Sequence, residues 1–187
     1  MNGHDYGAAA QRLMGMDEAT WQRHANPWSA WTRVPILPLL ALAVYARTWI
    51  GWWCLVPIAL LLAWTWWNPR AFPPPARLDT WAARGVMGER IWLARRKHPI
   101  PADHARAAHV LSAVSLAGLG PLLYGLAVLD PWPSVGGCAV AVLGKLWFVD
   151  RMAWLHDETV RERPEALRAV GLTPPLRAST PPPRRPA

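Results

Sequence analysis

Apolar residues along this chain gather in two blocks, and each block divides into two shorter runs. Positions 34–67 carry a single formal charge, Arg47, near the middle. A second pair of apolar runs follows at 107–129 and 133–149, with Lys145 as the only charge inside either run. A helix that crosses a bilayer needs about 20 mostly apolar residues. The sequence therefore predicts an all-α integral membrane protein with four transmembrane helices in two hairpins, at about 31–49, 51–67, 107–129 and 133–150.

The segments outside these runs are polar. Residues 1–16 and 164–187 are predicted to be disordered, and the second of them is rich in Pro and Arg. Residues 17–163 then form the membrane domain, which contains a connection at 68–106. This connection holds a predicted amphipathic helix at about 80–97, capped by Asp79. Such a helix fits two placements, packed on the protein or lying in the membrane interface.

Local signals predict where helices begin, end and touch. Asn26-Pro27 reads as an N-cap followed by Pro at the first helical position, and Asn68-Pro69 is predicted to end the second span. The last span is expected to continue as one helix toward Arg163. Small residues allow close approach of helix backbones in a membrane. We expect one face of the third span to meet one of two faces of the fourth: Ala113, Ala117, Pro121 and Gly125 against either Gly136, Val140 and Gly144 or Gly137 and Ala141.

Basic residues lie almost entirely on one predicted side. The chain has 20 Lys and Arg against 12 Asp and Glu, and 18 of the 20 fall in the first 33 residues, in the connection 68–106 or after position 149. Four spans put these segments together, and the positive-inside bias makes their side cytoplasmic. Trp residues near the span ends agree with this topology. The predicted location is the cytoplasmic (inner) membrane of a bacterium or archaeon, with both termini in the cytoplasm.

The position of the positive charge also bears on partners. Because the Arg residues flank apolar runs, anionic lipid headgroups are the expected partner, at ~1 kcal/mol per basic residue near the surface, and nucleic acid is not. A homodimer or a larger membrane complex is compatible with so thin a bundle.

Four motifs near the predicted span ends carry a family resemblance. They read HANPWSAWTR at 24–33, WNPRAFP at 67–73, GER at 88–90 and GKLWFVDRM at 144–152. Over about residues 20–157 the chain resembles a family of small, uncharacterised prokaryotic multi-span membrane proteins, known as a domain of unknown function. The resemblance implies a helical membrane protein with no established activity and no cofactor. Where similar proteins tend to have paired His after the connection, this chain reads Asp103-His104, which argues against a shared His-pair metal site.

The polar residues of these motifs are expected to converge at the cytoplasmic face as one candidate cluster: His24, Asn26, Arg33, Asn68, Arg70, Glu89, Arg90, Lys145, Asp150 and Arg151. Ionisable groups near a bilayer core are costly, so they pair or line a wet cavity. Asp150 is expected to pair with Arg70 or Arg90, and Glu89 with Arg151 or Lys145. The cluster has three interpretations: an ion-pair network that fixes helix ends, a headgroup or phosphate site built on Arg, or a catalytic site. A metal site using His24, His156 and a carboxylate is a weaker alternative, and neither a metal nor a cofactor is predicted.

The sequence leaves the biochemical activity open. It contains no P-loop, GxGxxG, nucleophile elbow or CxxCH haem motif. The first hypothesis is a non-catalytic scaffold or accessory subunit that contacts anionic lipid at the cytoplasmic face. The alternative is a membrane enzyme that acts on a lipid or isoprenoid headgroup at the inner interface. A small transporter is less favoured, because the spans hold almost no polar residue at mid-membrane.

Overall fold

A computed structural model describes residues 18–169, and within this range the chain is all helical and has no strand. The helices are α1 Glu18–His24, α2 Pro27–Trp31, α3 Ile36–Tyr45, α4 Arg47–Ile50, α5 Leu55–Ala71, α6 Trp81–Leu93, α7 Ala102–Val128, α8 Pro131–Glu162 and α9 Pro164–Ala169, with a 3₁₀ turn at Gly51–Cys54. The prediction of an all-α fold is confirmed for these residues.

The structure bears on only part of the two terminal segments that were predicted to be disordered. Residues 1–16, predicted to be disordered, lie outside the described residues, as do 170–187. The predicted disordered tail was wrong at its start, because α9 is a helix within it. Leu167 of α9 is 1% exposed and packs with Ile91 and Leu155, so burial of this one side chain orders the segment.

Three stretches of the described residues are long and apolar enough to cross a membrane: Pro27–Ala71, Ala102–Val128 and Pro131–Glu162. Many of their large apolar side chains face outward. Leu60, Leu116 and Leu143 are 66%, 66% and 64% exposed, respectively. Exposed apolar surface on this scale marks a face that contacts something other than water.

The first of these stretches folds back on itself. Gly51 has a φ of +53°, a conformation that residues with a Cβ rarely adopt, and it separates α4 from the 3₁₀ turn. Asn68 of α5 accepts a hydrogen bond from Ser29 Oγ (2.8 Å) and donates one to Thr32 Oγ1 (2.8 Å). The two ends of the stretch therefore lie side by side, although 39 positions separate Ser29 from Asn68.

The two Asn-Pro pairs have different roles. Asn26 caps α2 as predicted, because its Oδ1 accepts a hydrogen bond from Trp28 N (2.9 Å). The prediction that Asn68-Pro69 ends a helix was wrong, because α5 continues to Ala71. The Asn68 side chain bonds Ser29 and Thr32, across the hairpin, and not the end of its own helix.

Helices α7 and α8 form a second hairpin with a short turn. Leu129 closes α7 with a φ of +62°, and the Asp130 side chain accepts a hydrogen bond from Trp132 N (3.0 Å) at the start of α8. Helix α8 then runs unbroken to Glu162, as the sequence predicts.

Small residues bring the backbones of α7 and α8 together, with the second of the two faces predicted for the fourth span. A Cβ placed on Gly118 would lie 2.5 Å from Ala141 N, and one on Gly125 would lie 2.5 Å from Ser134 N. Ala113, Ala117, Pro121, Gly136 and Val140 are exposed, so their predicted contact is wrong; the alternative face with Gly137 and Ala141 is the buried one. With 3.6 residues per turn, a contact stripe advances by three and four positions, and a strict spacing of four drifts off it.

The tips of the two hairpins contact each other. Tyr45 OH donates a hydrogen bond to Leu129 O (2.9 Å), and Arg47 Nη2 donates to Leu126 O (2.7 Å) and Ala127 O (3.0 Å). The last carbonyls of a helix have no partner within it. Arg47 therefore satisfies the end of α7 and fixes the level of one tip against the other.

Helix α6 packs on α8. A Cβ on Gly85 would lie 2.5 Å from the side chain of Val149, and one on Gly88 would overlap the backbone of Met152. These two glycines therefore allow α6 to approach α8 closely. Of the two placements expected for this helix, the structure has it packed on the protein.

The cap of α6 was predicted at the wrong residue. Thr80 is the N-cap, and its side chain accepts a hydrogen bond from Ala83 N (3.3 Å). Asp79 instead forms an ion pair with Arg77, so its carboxylate is not used on the helix.

Candidate functional site

A cavity of about 510 Å³ lies where α1, the turn after α2, α6, α7 and α8 approach one another. This volume falls within the range of pockets that enclose small ligands. Most of its wall is apolar, with Leu37, Leu119 and Leu146 among the lining side chains. Its ionisable lining residues are four of the ten predicted in the cluster: His24, Arg33, Glu89 and Lys145.

Two of these residues are joined by a hydrogen bond. His24 closes α1, and Arg33 lies in the turn between α2 and α3. Arg33 Nη1 lies 2.6 Å from His24 Nε2, and Arg33 Nε donates to Ser29 O (2.8 Å). A guanidinium has donors only, so His24 Nε2 is the acceptor and the ring hydrogen sits on Nδ1. Nδ1 is buried and has no partner among the described residues.

The surroundings of His24 keep its ring neutral. The residue is 7% exposed. Burial, and next the positive charge of Arg33, lower the pKa of His24 to about 3. Near pH 7 the ring is therefore an uncharged group with one unused donor.

Glu89 and Lys145 supply the opposite wall of the polar region. Lys145 Nζ lies 3.3 Å from Glu89 Oε1, so one of the two partners predicted for Glu89 is present. Burial alone would raise the pKa of Glu89, but the positive charges of Lys145 and Arg33 outweigh it and hold this pKa below its usual value. One carboxylate against the two cations Arg33 and Lys145 leaves the polar region with one positive charge.

Two other predicted residues are structural in their contacts. Asn26 caps α2 and also donates from Nδ2 to Pro73 O (3.0 Å). Asn68 is fully buried and ties the ends of the first hairpin together. Neither of them lines the cavity.

Asp150 and Arg151 point to different neighbours. Asp150 Oδ1 accepts a hydrogen bond from the indole of Trp81 (2.8 Å). Arg151 Nη2 donates to Asp103 Oδ2 (2.8 Å), where the sequence predicted Glu89 as a partner for Arg151 or Lys145. Asp103 stands where similar proteins tend to have one His of a pair. It forms an ion pair with Arg151 of the motif at 144–152.

The last two predicted residues lie outside the cavity lining. Arg70 donates to Trp66 O (2.8 Å) and its guanidinium stacks over the Trp66 ring at 4.5 Å. Arg90 is half-buried on α6 and engaged by a neighbour. Of the predicted cluster of ten, four therefore meet at the cavity, and the other six do not line it.

Aromatic residues at the cavity were missed by the sequence reasoning. Trp21 packs edge-on against His24 (ring centroids 5.7 Å apart), and Trp81 stacks on Trp31 (5.7 Å). The usable signal was the position of Trp81 beside Gly85 and Gly88 on the buried stripe of α6. The apolar wall gave no signal, because cavity-lining and lipid-facing residues are both apolar.

With the site described, the chain can be compared with known proteins. A family model described as a family of unknown function (DUF6653) matches residues 7–174. The chain belongs to this family. The resemblance predicted over about 20–157 is therefore confirmed, and the match is longer at both ends. No curated protein and no solved structure matches the chain.

The chemistry available at this site follows from its donors. Arg33 and Lys145 offer N–H groups, while Glu89 is the one carboxylate among the described residues that line the cavity. Within residues 18–169, no three His, Cys, Asp or Glu side chains are grouped so that they could hold a metal ion. The arrangement is suited to holding an anionic group beside an apolar one.

Proposed function

We propose that this protein is an integral protein of the cytoplasmic membrane that crosses it four times and acts as a non-catalytic scaffold or accessory subunit, in contact with anionic lipid. In this proposal the stretch Pro27–Ala71 supplies two spans, and α7 and α8 supply the other two. The side of the membrane where α2 begins and α5 ends is the cytoplasmic side.

The observation that carries the proposal is the contact of Asn68 with Ser29 and Thr32. It brings the first apolar stretch back to the side where it began. Tyr45 and Arg47 contact the end of α7, which supports a location of both hairpin tips together on the opposite side of the membrane. On the positive-inside bias, the first side, which carries the Arg-rich connection, is cytoplasmic.

Contact with anionic lipid is supported by charge and by aromatic residues. The chain carries a net charge of +8, and 18 of its 20 Lys and Arg belong to the segments on the proposed cytoplasmic side. Trp28, Trp31, Trp66 and Trp147 are all more than half exposed near that side, as expected for side chains at a headgroup interface.

Membrane extraction and lipid analysis test this proposal. After expression, membranes are washed at alkaline pH and the protein is then solubilised in a neutral detergent. We expect the protein to stay with the washed membranes and to co-purify with anionic lipid enriched over its share in the bulk membrane. Release by the alkaline wash, or a retained lipid composition equal to the bulk, would contradict the proposal.

A second candidate function is a membrane enzyme that acts on a lipid or isoprenoid headgroup. It is favoured by one observation, the location of His24 and Glu89 in the wall of a cavity rather than in a closed ion-pair network. Incubation of purified protein with a polar lipid extract, followed by mass spectrometry, tests it. A product formed by the native protein and absent with Glu89→Gln would favour this candidate, and an unchanged extract would reject it.

A further inference from the structure

The cavity at the polar cluster has the two-part character of an amphiphile. Its polar side chains form two pairs, Arg33 with His24 and Lys145 with Glu89. The remaining wall is apolar and includes Leu37, Leu119 and Leu146. A ligand that fills this space needs one polar end and one apolar part.

The polar end of the cavity is rich in donors. Arg33 uses two of its five N–H donors, on His24 Nε2 and Ser29 O, while His24 Nδ1 is buried away from the cavity surface. Lys145 lines the cavity with three N–H donors, of which Glu89 uses one, and 56% of its side chain is accessible. The one lining carboxylate, Glu89, is already paired with Lys145. Beyond Glu89, the described lining offers no negatively charged acceptor for the remaining donors.

We infer that the cavity holds a monoanionic amphiphile, whose carboxylate or phosphate head accepts hydrogen bonds from Arg33 and Lys145 beside His24 and whose apolar chain lies along the leucine-lined wall. The single net positive charge of the four ionisable residues matches a single negative charge on the ligand. This inference rests on the proposed membrane location, because the lipid phase is the source of such a ligand.

Other ligand classes fit the same residues less well. A cationic headgroup would face Arg33 and Lys145 with only Glu89 to attract it. Inorganic phosphate would use the donors but would leave the apolar wall without a partner. An uncharged monoglyceride would fill the wall but would leave one of the two positive charges of Arg33 and Lys145 without a counter-ion, which is costly at a partly buried site.

Four probes with defined heads separate these classes. Protein purified in a neutral detergent is titrated with oleate, with oleoyl lysophosphatidylglycerol, with monoolein, which has the same chain and no charge, and with inorganic phosphate. Binding is followed by native mass spectrometry and by the shift in Tm. We expect oleate or lysophosphatidylglycerol to bind roughly tenfold or more tightly than monoolein, since hydrogen bonds between charged groups add to affinity. The stronger of the two anionic probes identifies the head as carboxylate or phosphate.

Two variants locate the binding. Lys145→Gln should reduce the affinity for the anionic probes about tenfold and leave monoolein unchanged, whereas Lys97→Gln, a matched change at an exposed lysine outside the cavity lining, should change neither. Leu119→Trp should fill the apolar part and weaken every probe that has a chain. Equal binding of monoolein and the anionic probes, equal binding of phosphate alone, or equal effects of the two lysine variants would overturn the inference. Binding in detergent does not depend on membrane orientation, so a failure here is distinct from a failure of the proposed topology.

Discussion

We expect a substitution of the buried His24 to change how the free energy of unfolding depends on pH. The folded protein holds the pKa of His24 at about 3, against 6.5 for an unperturbed side chain. Between these values the unfolded chain binds a proton that the folded chain does not, so stability falls as pH falls through this window. At pH 8 both states are neutral at this residue and the penalty is absent. At pH 5 the penalty is about 2 kcal/mol, from 1.5 pH units below 6.5 at about 1.4 kcal/mol each.

The assay compares the native protein with His24→Gln. Gln keeps an acceptor for Arg33 and cannot take up a proton. The free energy of unfolding is measured by SDS titration in mixed micelles at pH 8 and at pH 5. We expect the native protein to lose about 2 kcal/mol more than the variant between these two pH values. Other His residues titrate in both proteins and cancel in the difference. Glu89 does not interfere, because its pKa lies below its usual value and it stays ionised at both pH values. Equal losses in the two proteins would refute the assignment of His24 as a buried neutral group.

The remaining predictions concern packing in the two hairpins. Gly137→Leu should prevent α7 and α8 from meeting and lower Tm strongly, because a Cβ there already overlaps Leu122 of α7; Gly136→Leu, next to it in open space, is the matched control, and equal Tm values in the two variants would show that the contact is misassigned. Asn68→Ala should cost about 1–3 kcal/mol by leaving the buried Ser29 hydroxyl without its partner, whereas the Thr32 hydroxyl keeps its hydrogen bond to Trp28 O. In a double-mutant cycle with Ser29→Ala, the two losses should be non-additive, and simple additivity in SDS unfolding would argue against the hydrogen bond.

Hydropathy was sufficient for the helical class and for the positions of the apolar stretches. Apolar runs of this length have few alternatives, and the Asn26 cap depends only on a local hydrogen bond. The extent of the last helix was also predictable, because no Pro or Gly interrupts it between Gly144 and Glu162.

The register between helices was not predictable from residue type alone. Gly136 and Gly137 are identical in composition, yet one faces open space and the other the backbone of α7. Which one is buried depends on the rotation of the helix, and that is set by all of its contacts together.

The candidate site was predicted in part for a related reason. Of the ten residues predicted to converge near the span ends, His24, Arg33, Glu89 and Lys145 meet at the cavity. The partners of Asp150 and Arg151 depend on the rotation of α8 against α6 and α7. The cavity itself arises from how short helices at the first hairpin approach the second, and no sequence pattern encodes that gap.

Cysteine labelling in intact cells tests the central claim most directly. Cys54 and Cys138 are replaced by Ala, and single cysteines are introduced at three exposed positions: Trp52 and Trp132 at the two tips, and Leu78 in the connection. With a membrane-impermeant maleimide, Cys at 52 and at 132 should react before lysis, and Cys at 78 should react only after it. Labelling of position 78 in intact cells, or opposite accessibility of positions 52 and 132, would contradict a four-span topology with the Arg-rich connection inside.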